Sequence, residues 1–597
     1  MSQRLSRARV SELTCSLFNG SARAPRLCYT AKWLQLRGLS TAVTPEPDPA
    51  PLRKHLKEQA KRKRAEERDK RSNGKHIKQD QRLERWELTV GIEVHAQLNT
   101  ACKLFSNAPA DAEGDGQPNT DVAFFDAAMP GTQPSFQIAT LLPAIRAALA
   151  LGCTIQRESS WDRKHYFHWD QPNGYQITQY YRPFAKNGQI IVTADDGVPA
   201  ADLQGAESLA IGIKQIQMEQ DTAKTTLHQP STYHVDLNRA GHALIEVITL
   251  PQIHSPQTAA AVVRKLQAVL KSADACVVGM ELGGLRADVN VSVRLRGTNG
   301  DHAYSGVSGL GQRTEIKNLS SFKAVEEAIV AERDRQISVL EAGGKIEGET
   351  RGWTLGASET TRLRGKEGEV DYRYLPDADL PPLLISDALV GHLRETLPEL
   401  PEDTIQRVQQ TYGLTAKDAR TIVSLDDGDR LEFMEQTVHL LKEKLPDASE
   451  LTKVHKTVGN WVIHELGGHL TNGGRAWKDL FLSPREMADI IYHLLNKQIT
   501  ARSAKVLIMM VDDSDVRLDV AQLIDEHGLH LKPLDDEGYI SLAKRIMDEN
   551  PAMVSAIKDK GQRGKIMWFV GQMVREGDDS TILPEKAREV VEQLLDM

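Results

Sequence analysis

The sequence predicts an α+β protein of several domains, and three observations lead there. Two stretches, 86–98 and 285–295, alternate apolar and polar residues with a period of two, the mark of half-buried strands. Helical periods are interspersed with such strand-like pieces from 86 to about 390. From about 395 onward the character is helical throughout. A chain of 597 residues is too long for one hydrophobic core, which sets the expectation of more than one domain.

The order along the chain begins with charge. Residues 1–85 hold 21 Lys and Arg against nine Asp and Glu, although the whole chain carries −8. The rest of the chain is therefore acidic, which argues against an indiscriminate nucleic-acid coat and confines any RNA contact to a local basic patch. Residues 1–45 contain seven Lys and Arg and a single acid, Glu12, with frequent Ser and Thr. That is the composition of a mitochondrial transit peptide, and Arg37-Gly38-Leu39-Ser40-Thr41 resembles a matrix-processing site. The alternative is a basic tail. Residues 46–85 read as a charged, solvated linker or loose helix. Cys15, Cys28, Cys102, Cys153 and Cys276 are far apart and form no CxxC pair, so neither a disulfide framework nor a cysteine zinc site is expected. No run of about 18 apolar residues is present to span a membrane.

In WELTVGIEVHAQL, Val90, Ile92, Val94, Ala96 and Leu98 share one strand face, and Gly91, Glu93, His95 and Gln97 the other. A carboxylate and an imidazole two residues apart suit a divalent cation; the blander reading is a strand whose polar face meets water. Leu141 to Leu151 reads as a helix closed by Gly152. Residues 163–176 mix aromatic and basic side chains and end in a turn signal, Pro172-Asn173-Gly174, which suits a ligand loop. His165 and His168 in this loop are read as packing residues rather than ligands. Ile211 to Lys224 carries Glu219 and Asp221, and Val235 to Thr249 holds two strand-like pieces around Gly241, with Asn238, Arg239 and Glu246 as polar members. Ser255-Pro256 opens a helix to about Lys271, with Ser as cap and Pro in the first turn.

Leu285 to Leu295 directs Val289, Val291, Val293 and Leu295 inward, and Arg286, Asp288, Asn290, Ser292 and Arg294 outward. Arg313, Glu315 and Lys317 share a face of the next strand, and a helix follows from Ser321 to Leu340. Strands of this kind line a polar cavity in which acids hold a cation while Arg and Lys neutralise phosphate oxygens. The stretch from Glu349-Thr350-Arg351 through Arg362, Arg364, Lys366 and Glu367 to Tyr374 gathers cations for an anionic ligand or an RNA end, or else is a charged surface hairpin. Ser483-Pro484-Arg485-Glu486 is a capping box. Near the end, Lys558, Lys560, Arg563 and Lys565 precede a helix carrying Trp568, Phe569 and Met573; basic residues at a loop–helix junction take phosphate, or are merely solvated. No P-loop, no GxGxxG after a strand and no HExxH occurs.

The collinear stretches VGIEVHAQL, KHYFHWDQPNGYQITQ, VDLNRAGHALIEV, MELGGLRADVNVSVR, RTEIKNLSSFKAV and DYRYLPDADLPPL resemble the B subunits of the glutamyl-tRNA(Gln) amidotransferase family, in their mitochondrial form given the leader. The resemblance implies a mixed α/β cradle domain with an antiparallel sheet (86–394), an all-α helical domain (395–529) and a small helical tail (530–597) that touches tRNA. It implies ATP- and Mg²⁺-dependent phosphorylation of the glutamate on misacylated Glu-tRNA(Gln). Ammonia from a partner glutaminase, the amidase component of the complex, then displaces the phosphate, and a small third component completes the assembly. By match to the family's motifs, Glu93, His95 and Glu219 are the expected metal ligands, with Glu281, Asp288 and Glu315 as further candidates. Arg286, Lys317, Lys164 and Asp288 are the expected catalytic groups, and Glu315, Arg364 and Lys366 the expected ATP contacts. Lys558, Lys560, Arg563 and Lys565 are the expected tRNA contacts.

Four departures stand out. The stretch 103–131 lacks the cysteines with which bacterial relatives often bind zinc, so no zinc is expected. Asn173 replaces a lysine, which bears on one anionic contact. Gln220, Thr222, Ala223 and Ala287 also differ from the family pattern, in ways compatible with activity. A rival reading, a non-catalytic RNA-binding or assembly protein that has kept the fold, predicts loss of Glu93, His95, Glu219 and Asp288; all four are present.

Overall fold

Strand β1, Trp86–Gln97, lies at the middle of the nine-stranded sheet on which the first part of the described chain is built. The computed structural model describes residues 81–110, 116–229, 231–276, 279–297, 309–354, 357–365, 372–445, 451–514, 516–558, 562–577 and 580–595. The leader, the linker up to residue 80, Lys366, Glu367 and Lys560, and the side chains of Glu281 and Arg364, lie outside the described residues.

The sheet also contains β2 (Thr154–Ile155), β5 (Ala185–Thr193), β6 (Ser208–Gln220), β7 (Ala243–Thr249), β8 (Leu285–Leu295), β9 (Thr314–Leu319), β10 (Glu349–Gly352) and β11 (Thr361–Gly365), in the order β11-β10-β9-β8-β1-β7-β6-β5-β2. β1 alternates as expected. Val90, Ile92, Val94 and Ala96 are buried, while Gly91, Glu93, His95 and Gln97 are only partly covered. Each fully buried Val or Ile there contributes roughly 1.5–3 kcal/mol. The apolar face packs against helices α1 (Leu141–Ala150), α2 (Pro256–Ser272) and α3 (Phe322–Glu341). Ser255 and Ser321 cap α2 and α3 by accepting from the backbone N–H of Thr258 (3.2 Å) and Ala324 (3.1 Å).

The sheet is antiparallel, as expected, with one exception. β9 and β10 are parallel, because α3 between them forms a crossover that returns the chain in the same direction. At the end of β8, two further expectations fail. Leu295 is exposed at the strand terminus, and Arg294 is buried because Glu87 on β1, directly opposite in register, takes its guanidinium at 2.5 Å.

The polar face is covered at β6. A three-stranded sheet, β12 (Leu375–Pro376), β3 (Asp162–His165) and β4 (Tyr175–Thr178), is fastened over β6. Gln176 donates to the Gln220 carbonyl at 2.6 Å, and Gln179 accepts from the Met218 N–H at 3.1 Å. Gly241, at φ +84°, makes the turn before β7, where a side chain would meet the Asp126 carboxylate.

Residues 408–529 and 539–595 each form a separate helical core. In the first, Ser483 and Glu486 form the reciprocal capping box, with Met487, Ile490 and Ile491 buried behind it. In the second, Phe569 and Met573 are core residues. Among the described residues no helix is long and apolar enough to cross a membrane.

Candidate active site

The polar face carries a row of charged side chains supplied by five adjacent strands. His95 on β1 lies directly opposite Glu246 on β7, whose neighbour β6 supplies Glu219. The His95 Nδ1 is 3.0 Å from Glu219 Oε1. Ligand atoms of His95, Glu219 and Glu246 all lie within 4.8 Å of one another. Glu246 also accepts from Gln217 Nε2 at 2.7 Å, and Gln217 donates to Thr178 Oγ1 at 3.2 Å, so the covering sheet helps hold the cluster.

The charges respond to one another. Burial works against the imidazolium of His95, but the hydrogen bond to Glu219 and the charges of Glu246, Glu219 and Asp288 overcome it and raise the pKa to about 9. Burial likewise opposes ionisation of Glu219, but His95, Lys164 and Arg286 hold it below the ordinary carboxylate range. Glu246 is pushed up to about 7, by burial and then by the charge of Glu219. The second oxygen of Glu219, Oε2, is buried without a hydrogen-bond donor among the described residues. A buried carboxylate oxygen left unsatisfied costs about 1–3 kcal/mol or more. Two buried carboxylates that repel one another, one with an unsatisfied oxygen, beside an imidazole make a donor set for a divalent cation, and the residues fit one.

Glu93 stands elsewhere in the row. It accepts from Asn290 Nδ2 at 2.9 Å, and Glu246 takes the third place that was expected for it. The reason is geometric. Residues i and i+2 of one strand are about 6.5–7 Å apart, whereas residues directly opposite on neighbouring strands approach to about 4.5–5.5 Å. Glu246 was not among the expected ligands; a lone carboxylate in the apolar run ALIEVIT is the signal that could have found it.

Of the expected catalytic cations, two are bound to carboxylates. Arg286 meets Asp221 at 2.8 Å, and Lys317 bridges Asp288 (2.8 Å) and Glu315 (3.0 Å). Glu315 is further held by Thr350 Oγ1 at 3.0 Å. Lys164 differs: its ammonium lies 5.0 Å from the centre of the Tyr372 ring, with no carboxylate at ion-pair distance among the described residues. Burial disfavours its charge, but Glu219 and Glu246 keep it protonated, above the ordinary lysine value. Burial raises the phenol of Tyr374, and the charges of Glu246 and Glu219 add to it. Tyr180 stacks on Tyr374, with ring centres 4.1 Å apart.

Arg351 is drawn into a separate network, bonded to Glu349 at 2.5 Å and 3.4 Å from Glu332. His165 and His168 pack as read: His165 meets the Arg373 carbonyl at 2.8 Å and His168 meets Asp170 at 2.9 Å. Lys558, Arg563 and Lys565 lie around the junction before the helix Ile566–Glu576, with Lys558 and Arg563 exposed.

Known proteins share this sequence along most of its length. Residues 88–391 match the family described as the GatB/GatE catalytic domain, and residues 444–595 match that described as the GatB domain. A protein of Aspergillus oryzae, named as the mitochondrial B subunit of glutamyl-tRNA(Gln) amidotransferase, is 52% identical over 96% of this chain and 95% of its own length. Proteins of the same name from Ajellomyces dermatitidis and Aspergillus clavatus are 55% identical over 91% of this chain and 89% of their own length, and 51% identical over 99% and 98%.

Proposed function

The chain belongs to the GatB/GatE family, and on that premise we propose that it is the B subunit of a mitochondrial glutamyl-tRNA(Gln) amidotransferase. In this reading it activates the side-chain carboxylate of glutamate esterified to tRNA(Gln), using ATP and Mg²⁺, and passes it to ammonia. The observation that carries the reading is the His95–Glu219–Glu246 cluster, with both carboxylates buried and one oxygen unsatisfied. The complex is completed by a glutaminase that releases the ammonia and by a small third component.

A carboxylate is a poor electrophile because oxide is a poor leaving group. Its oxygen attacks the terminal phosphorus of ATP, and ADP departs. Ammonia then attacks the carbonyl carbon of the acyl phosphate, phosphate leaves, and a proton is lost from nitrogen. Both steps bring anionic oxygens together, so positioned charge does most of the catalytic work. His95, Glu219 and Glu246 would hold the Mg²⁺, which supplies charge shielding between carboxylate and phosphate. His95 donates to Glu219 and fixes its orientation. Lys164, not already neutralised by a contacting carboxylate, meets the incoming anion. Arg286 and Lys317, locked on Asp221, Asp288 and Glu315, position the strand ends. The covering sheet lies over β6 and brings Lys164 to the row.

The test is conversion of Glu-tRNA(Gln) by the purified complex. Gln-tRNA(Gln) should form only with ATP, divalent cation and an ammonia source. A complex that binds the tRNA but forms no amide under those conditions would return the chain to a non-catalytic assembly role.

A further inference from the structure

Beyond the charged row, the loop after β3 carries two aromatic side chains that face solvent, and a neighbouring hairpin adds a third. Phe167 is 83% exposed and Trp169 50%, and Tyr233, from the hairpin Lys224–Gln229/Thr232–Asp236, is 48% exposed. Large aromatic surfaces of this kind are ordinarily buried. They are held in an ordered array. Trp169 stacks on Tyr233, with ring centres 4.9 Å apart and planes 29° apart. His228 and His234 of the same hairpin stack at 4.5 Å and 18°. His168, anchored on Asp170, packs against Trp169 at 3.7 Å. Phe167 lies 3.4 Å from where a side chain on Gly174 would stand.

The array is tied to the site by short connections. The Ala223 N–H donates to the Asp170 carbonyl at 2.8 Å, two residues beyond Asp221, the partner of Arg286. Lys164, which faces Glu219 and Glu246, precedes Trp169 by five residues, a reach of at most about 17 Å. Planar faces presented in stacked pairs, interleaved with imidazoles and with one exposed aliphatic neighbour, Leu227, match single-stranded nucleic acid better than a protein surface. Bases stack on such faces whatever their identity.

We propose that Phe167, Trp169 and Tyr233 form a stacking platform for the unpaired 3′ nucleotides of the aminoacylated RNA, guiding the esterified amino acid to the charged row. This rests on the amidotransferase reading and names the part of the substrate that the loop holds.

The reconstituted complex carrying Trp169→Ala or Tyr233→Ala tests it. Binding is measured for full-length tRNA(Gln) and for the same tRNA trimmed of its unpaired 3′ nucleotides. Each variant should weaken the full-length tRNA by roughly five- to a hundredfold and leave the trimmed tRNA unchanged, while Tyr233→Phe, which keeps the stack, should match wild type. Equal weakening of both RNAs, no weakening of either, or failure of the complex to assemble, which would mark a protein-docking face, would each overturn the platform. Wild-type amidation alongside a variant without effect rejects the platform alone. Absence of amidation by the wild type rejects the function on which it rests.

Discussion

At the scale of single residues, the charged row separates groups that hold one another from groups left available. Arg286 and Lys317 sit on carboxylates; Lys164 sits on an aromatic ring and faces two acids through space. Lys164→Met should therefore lower kcat/KM for amidation by about 10²–10³-fold with little change in folding, read by steady-state kinetics and circular dichroism. Wild-type kinetics would move the anion contact to another cation. Glu93 marks where sequence reading reached its limit. The alternation around it is plain, and it puts Glu93 and His95 on one face. Which carboxylates His95 meets depends on the register with β7 and β6, and nothing within one strand specifies that. Glu93→Gln keeps the oxygen that accepts from Asn290, so it should disturb the row less than loss of Glu246.

At the scale of elements, most of what could be read came from local rules. Period-2 alternation located β1 and β8, and the Ser caps located α2 and the helix Pro484–Leu495. The parallel pairing of β9 with β10, the burial of Arg294 and the covering sheet were not legible, because each depends on partners distant in sequence. A further long-range contact organises the helical region. Asp512 is buried and accepts from the backbone N–H groups of Phe481 (2.8 Å) and Leu482 (3.2 Å), from His469 (2.7 Å) and from Arg475 (2.6 Å). Burial opposes its charge, but these donors hold its pKa below the ordinary value. A depressed carboxylate contributes stability that is full above its unfolded pKa and is lost as pH falls through the folded one. Hydrogen exchange in the helices Pro484–Leu495 and Ala501–Asp512 should therefore quicken below about pH 4. Asp512→Asn should cost about 2–4 kcal/mol at neutral pH and flatten that acid response. An unchanged acid response in the variant would assign it to other carboxylates.

At the scale of the molecule, the charged row lies on the nine-stranded sheet and a basic patch lies near the end of the chain. The acidic net charge confines RNA contact to patches, and the tail offers one around Lys558, Arg563 and Lys565. Replacing these three and Lys560 with Gln should weaken tRNA binding and lessen the slope of log affinity against log salt by about 3, if each cation meets a phosphate. An unchanged slope would assign the patch to solubility. The leader is expected to be removed near Ser40; N-terminal sequencing of the imported protein that finds Met1 intact would contradict this. We place activation of the carboxylate at His95, Glu219 and Glu246. The most direct test is the single-turnover rate of Gln-tRNA(Gln) formation by the complex carrying Glu246→Gln. The substitution preserves shape and an acceptor for Gln217 but removes the charge. A fall of roughly two orders of magnitude or more is predicted, and a rate equal to wild type would place activation away from these three residues.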